Sequence, residues 1–342
     1  MKAILVSSKD IRVVSVKTPT LKTPRDVLIK VKAVGLCGSD IQRIKAIQKN
    51  STTTAILGHE VAGEIVKIGE EVKNFKKGDR VVIEPLINCA KCRFCRSGNY
   101  QLCSNLKSVG KNLDGGFAEY IVVPNDKILK LERGISYEVG VLLDSLAVCV
   151  HAFNMAEGVE ICKIAVIGDG SIGRICTLLA DYYKKAKDIY IFGKHIEKKD
   201  FSSRRIKIIN PLIASNFDGF RNYFDVVFEC VGREQSNSLD LAVDLVKPKG
   251  KIVVLGVFPE NYLAMLNVRK LFVKEATLVG SNSYGYYKGK KEINEALKIL
   301  NKNALDLKGL VTHILPLSQF EKGIWYFENK EISKAIKIVF IP

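Results

Sequence analysis

Gly168-Asp169-Gly170-Ser171-Ile172-Gly173 constrains this chain more than any other stretch. It follows a short apolar run at 164–167 and opens a stretch of helical periodicity at 171–184. A G-x-G-x-x-G in a strand–turn–helix setting is the fingerprint of a dinucleotide-binding unit. Gly168 makes the tight turn, Gly170 lets a pyrophosphate approach the backbone, and Gly173 lets helix and strand pack closely. Ser171 and Ile172 open the helix, whose unpaired N–H groups and positive dipole end suit phosphate. Residues 189–192, 225–228 and 251–255 read as further apolar strands between helical segments. That alternation predicts a doubly wound parallel sheet.

The first third of the chain has a different grammar. Residues 11–14, 27–31, 61–68, 80–83 and 118–123 are β-rich runs separated by proline and glycine turns. Repeated short strands of this kind predict a partly closed β-barrel. Residues 136–156 read as helical, and past Gly280 come a helix near 292–300 and a last strand at 335–340. A chain of 342 residues is long for one core, so two domains are expected.

Two constellations carry metal chemistry. Cys89, Cys92, Cys95 and Cys103 are four thiols at short spacings, flanked by Lys91, Arg93 and Arg96. They fit a closed tetrahedral zinc site that holds a loop. The second constellation is Gly35-Leu36-Cys37-Gly38-Ser39-Asp40 followed by Gly58-His59-Glu60, with the thiol and imidazole 22 residues apart. Cys, His and Glu all ligate zinc, and the Ser39 hydroxyl offers a proton exit from a metal-bound oxygen substrate. Glu60 is either a direct ligand or a group behind the metal that exchanges with water. Asp40 can fix the His59 tautomer. The distant ligand expected for this centre is Asp144, a carboxylate inside an apolar helical run. Arg43 can pair with a substrate phosphate or serve as a surface cation. His151 reads as a satisfied structural histidine, and His313 receives no role.

The 2′ position of the dinucleotide also leaves a trace. An acid that binds the ribose hydroxyl is expected near Gly193, 20 residues after Gly173. Gly193 has no carboxylate, and Lys194 and His195 follow it. A lysine pairs with a 2′-phosphate that an acid would repel, so NADP(H) is expected ahead of NAD(H).

The net charge of +17 comes mainly from scattered lysines. It describes a solvated surface, with attraction to phosphorylated ligands as the sharper consequence. No arginine cluster interleaved with aromatics points to nucleic acid, so no nucleic-acid partner is expected. No stretch reads as a secretory signal or a membrane span, and the bunched cysteines suit a metal site. The expected location is the cytoplasm, with no membrane partner.

Jointly these motifs resemble the zinc-dependent medium-chain alcohol and polyol dehydrogenases. The likeness runs through the residues already named, through Asp114-Gly115-Gly116-Phe117-Ala118-Glu119-Tyr120, and through Asp225-Val226-Val227-Phe228-Glu229-Cys230-Val231-Gly232. It implies an α/β fold: a GroES-like catalytic domain from 1–148 and 280–342, with a structural zinc lobe at 88–104, and a Rossmann domain at 149–279. It implies two zincs per chain, with Cys37, His59, Glu60 and Asp144 as the catalytic set and Ser39 as the relay. It also implies a homodimer or homotetramer. Two departures stand out. Polyol members usually read Glu-Pro where this chain has Asp144-Ser145, and many relatives carry an acid where this chain has Gly193.

The expected activity is reversible oxidation of a secondary alcohol on a polyol or sugar alcohol, phosphorylated or free. A threonine or aminocyclitol substrate on the same scaffold is the alternative enzyme. A nucleic-acid-binding zinc protein is the alternative from another class.

Overall fold

The computed structural model describes residues 1–49, 53–184, 186–197, 200–210 and 218–342. They form two compact units. One comprises Met1–Asp144, Ala296–Asn303 and Leu310–Pro342, and the other Ser145–Glu295 and Ala304–Gly309.

The second unit is built on six parallel strands, numbered here β1 (Lys163–Ile167), β2 (Asp188–Phe192), β3 (Ile206–Ile209), β4 (Phe224–Glu229), β5 (Val246–Val254) and β6 (Thr277–Gly280). Their order is β3-β2-β1-β4-β5-β6. Ile164 lies opposite Ile189 on one side and Val226 on the other. The strands are near-continuous apolar runs because helices cover both faces of such a sheet. In β4 every residue is buried. The order reverses between β1 and β4, the switch point where sheets of this kind bind ligands beyond the strand ends. The glycine loop leaves β1 there. The chain stays with this unit to Glu295 rather than leaving near 279. Glu292, on the helix Glu292–Asn301, accepts from Asn154 and Gly285 and pairs with His151 inside the unit.

The first unit centres on Asp26–Leu36, an eleven-residue strand. One edge pairs with Glu60–Ile68 along most of its length. The other edge is shared by Tyr120–Pro124 and Lys337–Ile341. Arg80–Ile83, Ile128–Lys130 and Val311–Pro316 complete the seven strands. Phe117, Phe320 and Phe340 meet edge-on and tilted at 4.7–5.7 Å between ring centroids. Each ring is buried, and full burial of such a side chain stabilises by roughly 1.5–3 kcal/mol.

The helix Gly38–Lys49 was not expected from the sequence. Ile41, Ile44 and Ile47 form its buried stripe, and Asp40 sits in its first turn. Residues 50–52 lie outside the described residues. One helical stretch, Tyr137–Met155, is long and apolar enough to cross a membrane by length and composition, but 72% of it is buried within the protein, as in a core helix.

Candidate functional site

Strand pairing assembles the first site. Gly35 lies opposite Glu60 on one side and Val339 on the other. Lys337 is two residues from Val339 and so shares its face of the sheet. The Glu60 side chain crosses over Gly35, where an added Cβ would lie only 2.1 Å from Glu60 Oε2. It reaches Lys337, whose Nζ donates to both carboxylate oxygens at 2.7 and 2.8 Å. Both side chains are buried, at 0% and 2% exposure. Burial alone would push the Lys337 ammonium down. The Glu60 carboxylate, with Cys37 and Asp40, outweighs burial and holds it above its ordinary value.

Cys37 follows the central strand, and His59 precedes Glu60. Donor atoms of Cys37, His59 and Glu60 all lie within 4.8 Å of one another. Asp40, itself buried, accepts from the Cys37 N–H at 3.0 Å and stands 3.3 Å from His59 Nδ1. A carboxylate on Nδ1 is the usual arrangement behind a metal-ligating imidazole, with Nε2 as the ligand atom. Burial alone would lower the imidazole's pKa. The Asp40 charge and hydrogen bond, with Cys37, hold it well above its ordinary value. Asp144 is half-buried in the first turn of the helix Leu143–Met155 and is not among the donors of this cluster. Ser39 is exposed one residue from Asp40. Arg43 lies one turn further along the same helix, and its Nε is shielded from solvent with no hydrogen-bond partner among the described residues.

Cys89, Cys92, Cys95 and Cys103 form the second cluster, also within 4.8 Å of one another. With Zn–S bonds near 2.3 Å, tetrahedral sulfurs stand about 3.8 Å apart. The Cys92–Cys95 and Cys89–Cys95 sulfurs are 3.5 and 3.9 Å apart. The backbone N–H of Cys89 and that of Asn105 both point at Cys103 Sγ at 3.4 Å, as for a thiolate. The N–H of Cys95 pulls the Cys92 thiol down to about 6. Burial pushes the Cys103 thiol the other way, up to about 11, so it is the spacing of the four sulfurs that fits a zinc ion.

The glycine loop forms as the sequence predicts. Gly170 caps the helix Ser171–Tyr183. A Cβ on Gly173 would fall 1.9 Å from Gly168 O, so only glycine allows this approach of helix to loop. Gly193 follows β2, Lys194 is exposed and His195 half-buried. Arg174, which sequence reasoning passed over, ties the two segments together. Its Nε donates to Asp169 O at 2.8 Å, Nη2 to His195 O at 3.2 Å, and Nη1 to Asp200 at 2.9 Å. His151 is satisfied by Glu292 at 2.8 Å, as expected of a structural histidine. His313 packs against Tyr326.

Comparison with known proteins decides the family. Residues 23–133 match the alcohol dehydrogenase GroES-like domain, and residues 208–302 match the zinc-binding dehydrogenase domain. The chain is 30% identical to sorbitol dehydrogenase of Halalkalibacterium halodurans, over 100% of this chain and 99% of that protein. It belongs to the zinc-binding alcohol dehydrogenase family. As a member it is an oxidoreductase that uses zinc and NAD(P). It is also 32% identical to L-threonine 3-dehydrogenase of Caldanaerobacter subterraneus, over 92% of this chain and 91% of that one. The crystal structure of galactitol-1-phosphate dehydrogenase from Escherichia coli superposes with a TM-score of 0.85 at 26% identity, covering 100% of both chains.

Proposed function

We propose that this dehydrogenase interconverts a secondary alcohol and a ketone on a polyol or sugar alcohol, phosphorylated or free. The Cys37–His59–Glu60 cluster, backed by Asp40 and Lys337, is the observation that carries the reading. Cys37, His59, Glu60 and Asp144 are the catalytic zinc set. The cluster supports the first three, and the motif resemblance supports Asp144. Cys89, Cys92, Cys95 and Cys103 hold the structural zinc. When bound, zinc supplies the Lewis acidity that lowers an alcohol's pKa, and the nicotinamide accepts the hydride. The chain's own residues do the rest. Asp40 keeps Nδ1 of His59 protonated, leaving Nε2 to ligate. Ser39, exposed beside it, carries the proton outward. Gly168, Gly170, Ser171, Ile172 and Gly173 cradle the dinucleotide phosphates.

The solvent-shielded Nε of Arg43 supports a phosphorylated substrate, because a buried guanidinium donor calls for an anionic acceptor. Steady-state kinetics on matched substrates test this. Arg43→Ala is expected to raise KM for a polyol phosphate about tenfold or more, since a hydrogen bond to a charged group is worth about 1.5–3 kcal/mol. The free polyol should change less than about twofold, within the ±0.5 kcal/mol usual for a substitution away from special features. Equal effects on both substrates would remove Arg43 from phosphate recognition. Turnover of L-threonine in place of polyols would favour the amino-alcohol alternative.

The assembly is a homo-oligomer. Supporting this, β6 is the last strand of its sheet and largely exposed, and the preceding helix Val268–Lys274 exposes Val268, Phe272 and Val273. An apolar face beside an open sheet edge suits a second copy of the chain. Sedimentation equilibrium should give a dimer or tetramer, and a monomer at micromolar concentration would contradict it. The nine free cysteines suit a reducing compartment, the cytoplasm.

A further inference from the structure

The carboxylate missing from position 193 is supplied from elsewhere. A Cβ built on Gly193 would lie 2.5 Å from Asp169 Cβ and 2.8 Å from both its Cγ and its Oδ2. The Asp169 carboxyl group thus occupies the space in which a side chain after β2 would begin. It is fixed there: His195 N–H donates to Asp169 Oδ2 at 2.5 Å, and buried Arg174 holds the Asp169 and His195 carbonyls from below. Oδ1 accepts no hydrogen bond among the described residues. An acid at the end of the second strand is what takes the ribose hydroxyl and repels a 2′-phosphate. Here the glycine loop provides that charge, and the exposed ammonium of Lys194 stands next in the chain with the opposite preference.

We propose that Asp169 is the specificity-determining residue for the adenosine ribose of the cofactor. Its free carboxylate oxygen accepts the ribose hydroxyls, its charge opposes a 2′-phosphate, and Lys194 counters it. The proposal rests on the dinucleotide reading of the glycine loop. It explains why Gly193 must lack a side chain: any substituent would displace the Asp169 carboxylate.

The test is binding, independent of turnover. Dissociation constants for NADH and NADPH are measured by nicotinamide fluorescence on the zinc-loaded wild type and on Asp169→Asn. Asparagine keeps an acceptor for the His195 N–H and removes only the charge. The ratio of NADPH to NADH dissociation constants is expected to fall at least tenfold, and the shift should shrink at high salt. Asp169→Ser, which also retains an acceptor, serves if the asparagine variant does not fold. Lys194→Ala should move the ratio the other way. Binding of both cofactors with a ratio within twofold of wild type in the Asp169 variants would overturn the proposal alone. Failure of the wild type to bind either cofactor would overturn the dinucleotide reading and the proposal with it.

Discussion

Replacing His59 by Ala is expected to lower kcat/KM by at least about a thousandfold, roughly 4 kcal/mol of transition-state stabilisation. Three donors converge within 4.8 Å, and His59 is the one whose orientation the fold secures most visibly, through Asp40. Removing it leaves Cys37, Asp144 and a Glu60 carboxylate already held by Lys337, and takes away the one neutral nitrogen ligand of the set. It also leaves Asp40 buried without its imidazole partner. Asp40→Asn should act in the same direction but more weakly, by about 10–100-fold, as when a group orienting a metal ligand is lost. Steady-state kinetics with zinc content measured on the same samples check both. The His59 variant should keep the metal of the four-cysteine lobe and lose the other. Activity within tenfold of wild type in His59→Ala would exclude His59 as a ligand.

Lys337→Met should lower the unfolding free energy of the metal-free protein by about 3–5 kcal/mol, because it leaves the Glu60 carboxylate buried and uncompensated. Urea unfolding followed by circular dichroism measures it. The double variant Glu60→Gln with Lys337→Met should recover most of the loss, since replacing a buried pair costs far less than breaking it. The pH dependence has a definite sign. The folded protein holds the Lys337 ammonium above its ordinary value. Its contribution is therefore complete below the unfolded lysine pKa, about 10.4, and is lost as pH rises through the higher folded value. Wild type should lose stability in that alkaline window, and the double variant should lose less. Equal alkaline profiles, or a Lys337→Met variant as stable as wild type, would contradict a structural pair at this position.

The parts of the site that are local in sequence could be read from it. Cys37, His59, Glu60 and the four-cysteine lobe depend on short spacings beside glycine turns, and the structure brings each set together. The glycine fingerprint was legible for the same reason, because strand, turn and helix are consecutive. What the sequence concealed is non-local. Lys337 reads as one more surface lysine in a lysine-rich chain. Only the pairing of both flanking strands with the central strand Asp26–Leu36 places its ammonium on Glu60, 277 residues away. Asp169 reads as a filler position inside the fingerprint, and its meaning comes from the packing of that loop against the end of β2. The helix Gly38–Lys49 left a visible signal, isoleucines at 41, 44 and 47 after a first-turn aspartate. Asp144 is the reverse case: the motif nominates it, while the cluster of described donors is built without it.

Hydride transfer from a secondary polyol, followed by nicotinamide absorbance in the purified zinc-loaded chain, tests the central claim most directly. The predicted result is substrate-dependent formation of NADPH or NADH that stops when zinc is chelated and returns when zinc is restored. A chain that holds zinc and binds the dinucleotide, yet reduces neither nicotinamide with any polyol or polyol phosphate, would contradict it.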